Sequence, residues 1–310
     1  MNIKCSKIGY GCWQIANERW GYISEKTAMR SINTAIDYGI NIFDTADAYG
    51  AGYSEKILGR SIGSRRNEIY LSTKVGRVVQ SDGTRTINCS KGYIFKAIDS
   101  SLKRLSTDFI DFYQLHAYDP NTKLEDTASA LLTLKKNGKI RYIGCSNFSI
   151  DKFLELSKMI HIDFIQIEFN ALEIEDYKRC INVCEQNGTL IMAHSALCRG
   201  LLGGKINKDT SFSDKDIRST DERFYGEKYN SYLRKVKLLN KIAKKLDISL
   251  KRLSINFVNS HSQVLTALIG MRNPSQVKEN CIDKKHFQLN EKVFKQIYEI
   301  AENNFMEIKQ

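Results

Sequence analysis

Short apolar runs alternate with longer amphipathic segments along almost the whole chain, and this alternation limits the possible folds more than any other feature. The runs predict strands at 8–13, 41–44, 68–74, 108–116, 140–145, 162–168, 189–194 and 264–269. Helical spacing fills the intervals: 24–38, 53–62, 90–104, 124–137, 150–158, 174–186, 229–246 and 249–259, with a closing helix at 290–303. Ser24 and Ser54 are placed to cap the first two helices. Regular strand-then-helix order calls for a parallel sheet. Eight strands in 310 residues fit a closed (β/α)8 TIM barrel, a single α/β domain over 1–310, better than an open sheet. No G-x-G-x-x-G follows the first strand, which argues against an open dinucleotide-binding sheet. The longest break in the alternation is 205–228, rich in Ser, Asp and Lys. It reads either as a loop over the barrel mouth or as a surface excursion.

Three successive strands end in groups that carry chemistry. Ile42-Phe43 runs into Asp44, the 68–74 run ends in Lys74, and the 108–116 run ends in His116. Tyr49 follows Asp44 by five residues, between small residues that leave the backbone free to turn. In a parallel barrel the strand ends open onto one face, where catalytic groups gather from several strands. A tyrosine hydroxyl is a poor acid at neutral pH, and a nearby ammonium lowers its pKa by stabilising the phenolate. Asp44 would hold Lys74 charged and aimed, and His116 would donate to an oxygen that becomes negative. Such a set suits addition to a carbonyl, with a cofactor supplying the hydride that no side chain can. The residues alone leave isomerase or aldolase chemistry through a Lys74 Schiff base open.

The net charge is +12 and the pI near 9.2. In 232–246 an apolar stripe of Leu233, Val236, Leu239, Ile242, Ala243 and Leu246 leaves Lys235, Lys237, Lys241, Lys244 and Lys245 largely off it, as on a surface helix. No nucleic-acid motif accompanies the charge, which is better suited to capturing phosphorylated ligands. No apolar run is long enough for a membrane span, and the first residues lack a signal peptide's apolar segment. The eight cysteines show no paired metal spacing. The expectation is a cytoplasmic protein with reduced thiols, no metal, and neither nucleic acid nor membrane as partner. The sequence is silent on oligomeric state.

Six motifs, taken together and in order, resemble the aldo-keto reductase family, bacterial type, with a similarity also to potassium-channel β-subunits. They are D-T-A-D-A-Y-G-x-G-x-S-E-x-x-L-G (Asp44 to Gly59), S-T-K-V-G (Ser72 to Gly76) and Y-Q-L-H (Tyr113 to His116). The others are G-K-I-R-Y-I-G-C-S-N-F-S (Gly138 to Ser149), H-S-A-L-C-R-G-L-L-G-G-K (His194 to Lys205) and I-G-M-R-N-P-S-Q-V-K-E-N (Ile269 to Asn280). The resemblance runs from about residue 6 to 285. It implies the barrel and NADPH-dependent reduction of a small-molecule aldehyde or ketone. Tyr49 would be the general acid, Lys74 and Asp44 would tune it, and His116 would orient the carbonyl. It also implies an alternative, a nicotinamide-binding regulatory protein on the same fold.

Carried over position by position, the resemblance places Ser146, Asn147 and Gln166 on the nicotinamide carboxamide. His194 falls where the family usually stacks an aromatic ring, often Tyr. Ser195, Leu197, Gly200, Leu202 and Lys205 match the pyrophosphate loop, where Ala196 replaces a usual proline and Cys198 a usual glycine. Asp216 and Arg218 fall in the loop that crosses the cofactor. Gly270, Arg272, Gln276, Glu279 and Asn280 match the site for the adenosine 2'-phosphate and adenine, with Arg272 the natural phosphate partner. Gln276 stands where many members have a second Arg, so NADH is a possible cofactor too. Trp13, Trp20 and Tyr118 are expected to wall the substrate pocket. A small aldehyde, a sugar and a nucleotide-linked keto-sugar all fit this reading. The hairpin that closes the barrel bottom in many members is expected to be shortened or absent here.

Overall fold

The computed structural model describes residues 3–80, 82–281 and 289–303. The predicted strands form as β1 (Ile8–Gly11), β2 (Ile42–Asp44), β3 (Tyr70–Val75), β6 (Ile110–Leu115), β7 (Ile140–Ser146), β8 (Phe164–Glu168), β9 (Leu190–His194) and β10 (Val264–Gly270). Between β3 and β6 stands an antiparallel hairpin, β4 (Arg77–Val79) and β5 (Arg85–Ile87). The eight long-range strands pair in parallel and close into a barrel in the order β1-β2-β3-β6-β7-β8-β9-β10. Outside it lie α1 (Glu25–Asp37), α2 (Tyr53–Ile62), α3 (Lys91–Leu105), α4 (Leu124–Lys136), α5 (Ile150–Ser157), α6 (Glu175–Asn187), α7 (Gly226–Lys245), α8 (Leu250–Asn259), α9 (Pro274–Cys281) and α10 (Glu291–Glu302).

Strand periodicity divides the side chains between two cores. Outward-facing residues meet the helices in one large apolar shell. Inside the barrel Ile42, Phe112, Phe164, Met192 and Leu268 form a separate cluster. The Phe164 ring needs the neighbouring strand to carry nothing: a Cβ on Gly144 would lie 2.3 Å from it. Two residues further along β2, β6, β8 and β9 come Asp44, Gln114, Gln166 and His194. The apolar cluster is therefore the floor on which the polar layer stands.

The N-terminal end of the barrel is tied by a carboxylate. Asp111, fully buried, accepts from Arg66 at 2.7 Å, Arg141 at 2.8 Å and the Leu71 backbone N–H at 3.0 Å. Both guanidinium groups also lie against the Phe109 ring, at 4.1 and 3.9 Å from its centre. No strand precedes β1 among the described residues, and Ile3 and Cys5 pack against the inner cluster instead.

Several expectations need correction. Ser24 caps α1 as expected, accepting from the Thr27 N–H at 3.2 Å. Ser54 does not cap α2, whose N-cap is Gly52 in the left-handed region; the buried Ser54 hydroxyl instead donates to the Cys12 carbonyl at 2.9 Å. Lys235 is not a surface lysine. It is buried, and its ammonium reaches the Ala301 carbonyl at the end of α10 at 2.6 Å. The segment before α7 holds short 3-10 turns, and the helix starts at Gly226. Among the described residues no helix is long and apolar enough to cross a membrane. Replacing Asp111 by Ala strands the half-buried Arg66 and the Leu71 N–H. It should cost about 3–5 kcal/mol in urea unfolding followed by circular dichroism; a loss under about 1 kcal/mol would deny the tie its role.

Candidate active site

At the C-terminal ends of the strands lies a cleft of about 560 Å³, and Asp44, Tyr49, Lys74 and His116 all line it. Asp44 is buried at the centre of its hydrogen bonds. One of its oxygens accepts from the Lys74 ammonium at 2.5 Å. The other accepts from Ser72 at 2.8 Å, Gln114 at 3.1 Å and Gln166 at 3.0 Å, donors on three different strands. Lys74 also donates to the Thr45 carbonyl at 2.9 Å. Burial works against the Lys74 ammonium, but Asp44 and the Tyr49 oxygen outweigh it and hold its pKa above the ordinary lysine value.

Tyr49 leans over this pair. The Lys74 nitrogen is 5.0 Å from the centre of its ring, and the His116 ring meets it edge-on with centres 5.7 Å apart. Burial of the hydroxyl pushes its pKa up, and Lys74 pulls it back only in part. The simple expectation of a lowered pKa is therefore wrong for the protein alone: here the hydroxyl keeps its proton. His116 is held well below the usual histidine range, first by burial and then by the charges of Lys74, Arg77 and Arg85, with a smaller push from His194. It is neutral at physiological pH, and its buried Nδ1 has no partner among the described residues.

Beyond His116, β7 to β10 bring in the residues that the resemblance assigned to a cofactor. The Ser146 hydroxyl donates to the Gln166 carbonyl at 3.0 Å, and the Asn147 amide donates to the His116 carbonyl at 2.9 Å. Gln166 gives its amide N–H to Asp44, so it also belongs to the carboxylate's shell. The half-buried His194 has its Nδ1 3.1 Å from the Ser195 hydroxyl, and burial lowers its pKa. The 195–200 turn runs through left-handed backbone at Cys198 (φ 44°), Arg199 (φ 50°) and Gly200 (φ 103°). Non-glycine residues in that region store strain, as functional loops often do. Leu197, Gly200, Lys205, Gly270, Gln276, Glu279 and Asn280 line the same cleft. Gln276 accepts from the Arg272 backbone N–H at 2.7 Å, Lys205 lies 3.6 Å from Glu279, and Asn280 Oδ1 is buried without a partner among the described residues. The Arg272 guanidinium donates to the Gly21 and Tyr22 carbonyls at 2.9 Å each, while its buried Nε has no partner among the described residues.

The 205–228 segment is fastened across the mouth. Asp216 bridges Trp20, and the Ile217 N–H donates to the Arg19 carbonyl at 2.7 Å. Arg218 pairs with Asp216 at 2.7 Å and sits 5.5 Å from the Trp20 ring centre and 4.4 Å from that of Phe212. Asp221 joins Arg199 at 2.5 Å and Arg223 at 3.0 Å, and Arg223 reaches Glu168 at 2.6 Å.

Two predicted residues fall outside the cleft. Leu202 is fully buried in the apolar shell. Tyr118 packs edge-on against Phe148, under the Lys152 ammonium, and is not in the cleft wall. Trp13 and Trp20 do line it, their rings edge to face at 5.5 Å. The sequence reading missed Ser72 and Gln114, which hold Asp44, and Arg77 and Arg85 on the hairpin. For the hairpin a signal existed: Asp82-Gly83 between two alternating polar and β-forming stretches.

Similarity to known proteins agrees with this geometry. The chain is 34% identical over 304 residues to the aldo-keto reductase YhdN of Bacillus subtilis, covering 97% of this chain and 91% of that one. It is 30% identical over 302 residues to the aldo-keto reductase yakc [NADP(+)] of Schizosaccharomyces pombe, covering 96% and 88%. A solved glycerol dehydrogenase from Gluconobacter oxydans superposes with a TM-score of 0.90 at 30% identity, over 100% of this chain and 97% of the other. The profile of the aldo/keto reductase family matches residues 7–302, and the chain belongs to that family.

Proposed function

We propose that this protein reduces an aldehyde or ketone to the alcohol with NADPH, with Tyr49 as the proton donor. The observation that carries this reading is the Lys74 ammonium, fixed by Asp44 at 2.5 Å and set against Tyr49, with neutral His116 across the same space. The residues fit a dinucleotide. The unpartnered Arg272 Nε suits a phosphate oxygen, the unpartnered Asn280 Oδ1 suits an amino donor of the adenine, and Ser146 and Asn147 suit the carboxamide. The yeast relative's name specifies NADP(+). Bound there, the nicotinamide supplies a hydride to the carbonyl carbon.

The chain's own residues handle the oxygen. Tyr49 keeps its proton until negative charge grows on the carbonyl oxygen, then donates it. Lys74 stabilises the phenolate left behind, and Asp44 keeps Lys74 charged and in place. Neutral His116 aims the carbonyl through a ring N–H. In the reverse direction Tyr49 is the base. The 205–228 segment, fastened at Trp20 and Arg19, would shield a bound cofactor from water.

NADPH should bind more tightly than NADH. Arg272→Ala should erode the difference by roughly 1.5–3 kcal/mol, the scale of hydrogen bonds to charged groups; equal titration midpoints for the two cofactors in the unaltered protein would count against the assignment. Tyr49→Phe keeps the ring and loses the hydroxyl. Single-turnover oxidation of bound NADPH by 4-nitrobenzaldehyde should slow by about 10²–10⁴-fold or more, with NADPH affinity hardly changed. A variant reacting at the unaltered rate would remove Tyr49 as the acid, and an unaltered protein with no turnover would favour the regulatory reading. Lys74→Met leaves Asp44 buried and unpaired, so it should lower stability by about 3–5 kcal/mol in urea unfolding as well as abolish turnover. Full stability in that variant would mean that the pair is not the anchor described.

A further inference from the structure

Among the lysines and arginines that line the cleft, most are already neutralised. Lys74 has Asp44, Arg85 has Glu18 at 3.1 Å, Arg199 has Asp221, Arg218 has Asp216, and Lys205 and Lys251 share Glu279. Of these cleft-lining cations, only Arg272 and Arg77 have no carboxylate at ion-pairing distance among the described residues. They stand at opposite sides of the cleft. Arg272 follows β10, beside the residues suited to the cofactor's adenosine end. Arg77 follows β3, next to β2 and β6, which carry Asp44 and lead to His116.

Arg77 is held there by the chain around it. Gly76 (φ 111°) turns the backbone out of β3, and a Cβ on it would strike the Cys89 sulfur at 2.8 Å. The Gly76 carbonyl accepts from the Asn88 N–H at 2.8 Å, which closes the base of the hairpin. The charge of Arg77 reaches both Tyr49 and His116, and that of Arg85 reaches His116. Asp47 shares a smaller cleft with Arg77 on the outer side of the hairpin but offers little counter-charge. Burial and Glu55 push its carboxyl up to about 8, so it is mostly protonated at neutral pH.

We propose that Arg77, flanked by the Arg85–Glu18 pair, binds an anionic group on the substrate, so that the protein acts on carbonyl compounds bearing a carboxylate or a phosphate. This rests on the reductase reading and deepens it. A guanidinium with no carboxylate partner among the described residues, beside the reacting centre and partly out of water, gains most from a bidentate oxyanion. The Trp13 and Trp20 rings, which line the same cleft, suit a short carbon chain between that anion and the carbonyl.

Matched pairs separate charge from shape: succinic semialdehyde against its amide, and glyceraldehyde 3-phosphate against glyceraldehyde. In the unaltered protein kcat/KM should favour the anion of at least one pair by about tenfold or more, and the pair that does so tells carboxylate from phosphate. Arg77→Ala should bring that ratio towards one, mainly through KM, and Arg77→Lys should recover part of it. Equal values within both pairs would overturn the proposal, as would an Arg77→Ala variant that slows both members of a pair by the same factor. If no carbonyl is reduced, the reductase reading fails separately. The anion site is then decided by fluorescence, since both tryptophans of the chain line the cleft. Saturable quenching by succinate or inorganic phosphate that Arg77→Ala removes supports the site, and no quenching by either overturns it.

Discussion

The site depends on how fully one buried carboxylate is satisfied. An ion pair taken out of water stabilises little unless its remaining lone pairs find donors, and an unsatisfied one is costly. Asp44 meets the condition: Lys74 holds one oxygen, and Ser72, Gln114 and Gln166 converge on the other. With the carboxylate immobilised, the Lys74 ammonium has one place to be, and Tyr49 is the group placed to feel it. The proton chemistry proposed for Tyr49 is in this sense set by residues that never touch a substrate.

That layer can exist only because of the one beneath it. Phe112, Phe164, Met192, Ile42 and Leu268 close the barrel's interior with apolar groups, and Gly144 leaves the room that Phe164 fills. Water reaching Asp44 from below would weaken each of its hydrogen bonds. The cluster therefore acts as an electrical insulator as well as a packing element. At the far end Asp111 collects Arg66 and Arg141, so charged ties bracket an apolar middle.

Much of this was legible in the chain. A run such as Ile42-Phe43 that stops at Asp44 announces a buried strand with a polar exit, and Lys74 and His116 repeat the sign. The barrel followed from alternation alone. What the residues did not reveal is register. Ser72 and Gln114 read as ordinary interior positions of strands, and only the pairing Asp44↔Ser72 and Lys74↔Gln114 turns them onto one carboxylate. Leu202 and Tyr118 failed for a related reason: neighbours in a motif need not share a face. Lys235 was misplaced because helical spacing cannot foresee that α10 will present a carbonyl to it. The β4–β5 hairpin was visible in Asp82-Gly83 and was overlooked because the strand-helix alternation left no place for it.

The partners of Asp44 also set an order in time. Ser72 and Gln114 lie in the first half of the chain, whereas Gln166 is 122 residues from Asp44. Contacts so distant in sequence form late, after much loop entropy has been given up. A chain with β2, β3 and β6 already paired would still hold a carboxylate short of one donor. The donor set of Asp44 is then a property of the assembled sheet and not of any local unit: it is complete only when β8 stands in the same barrel as β2, β3 and β6.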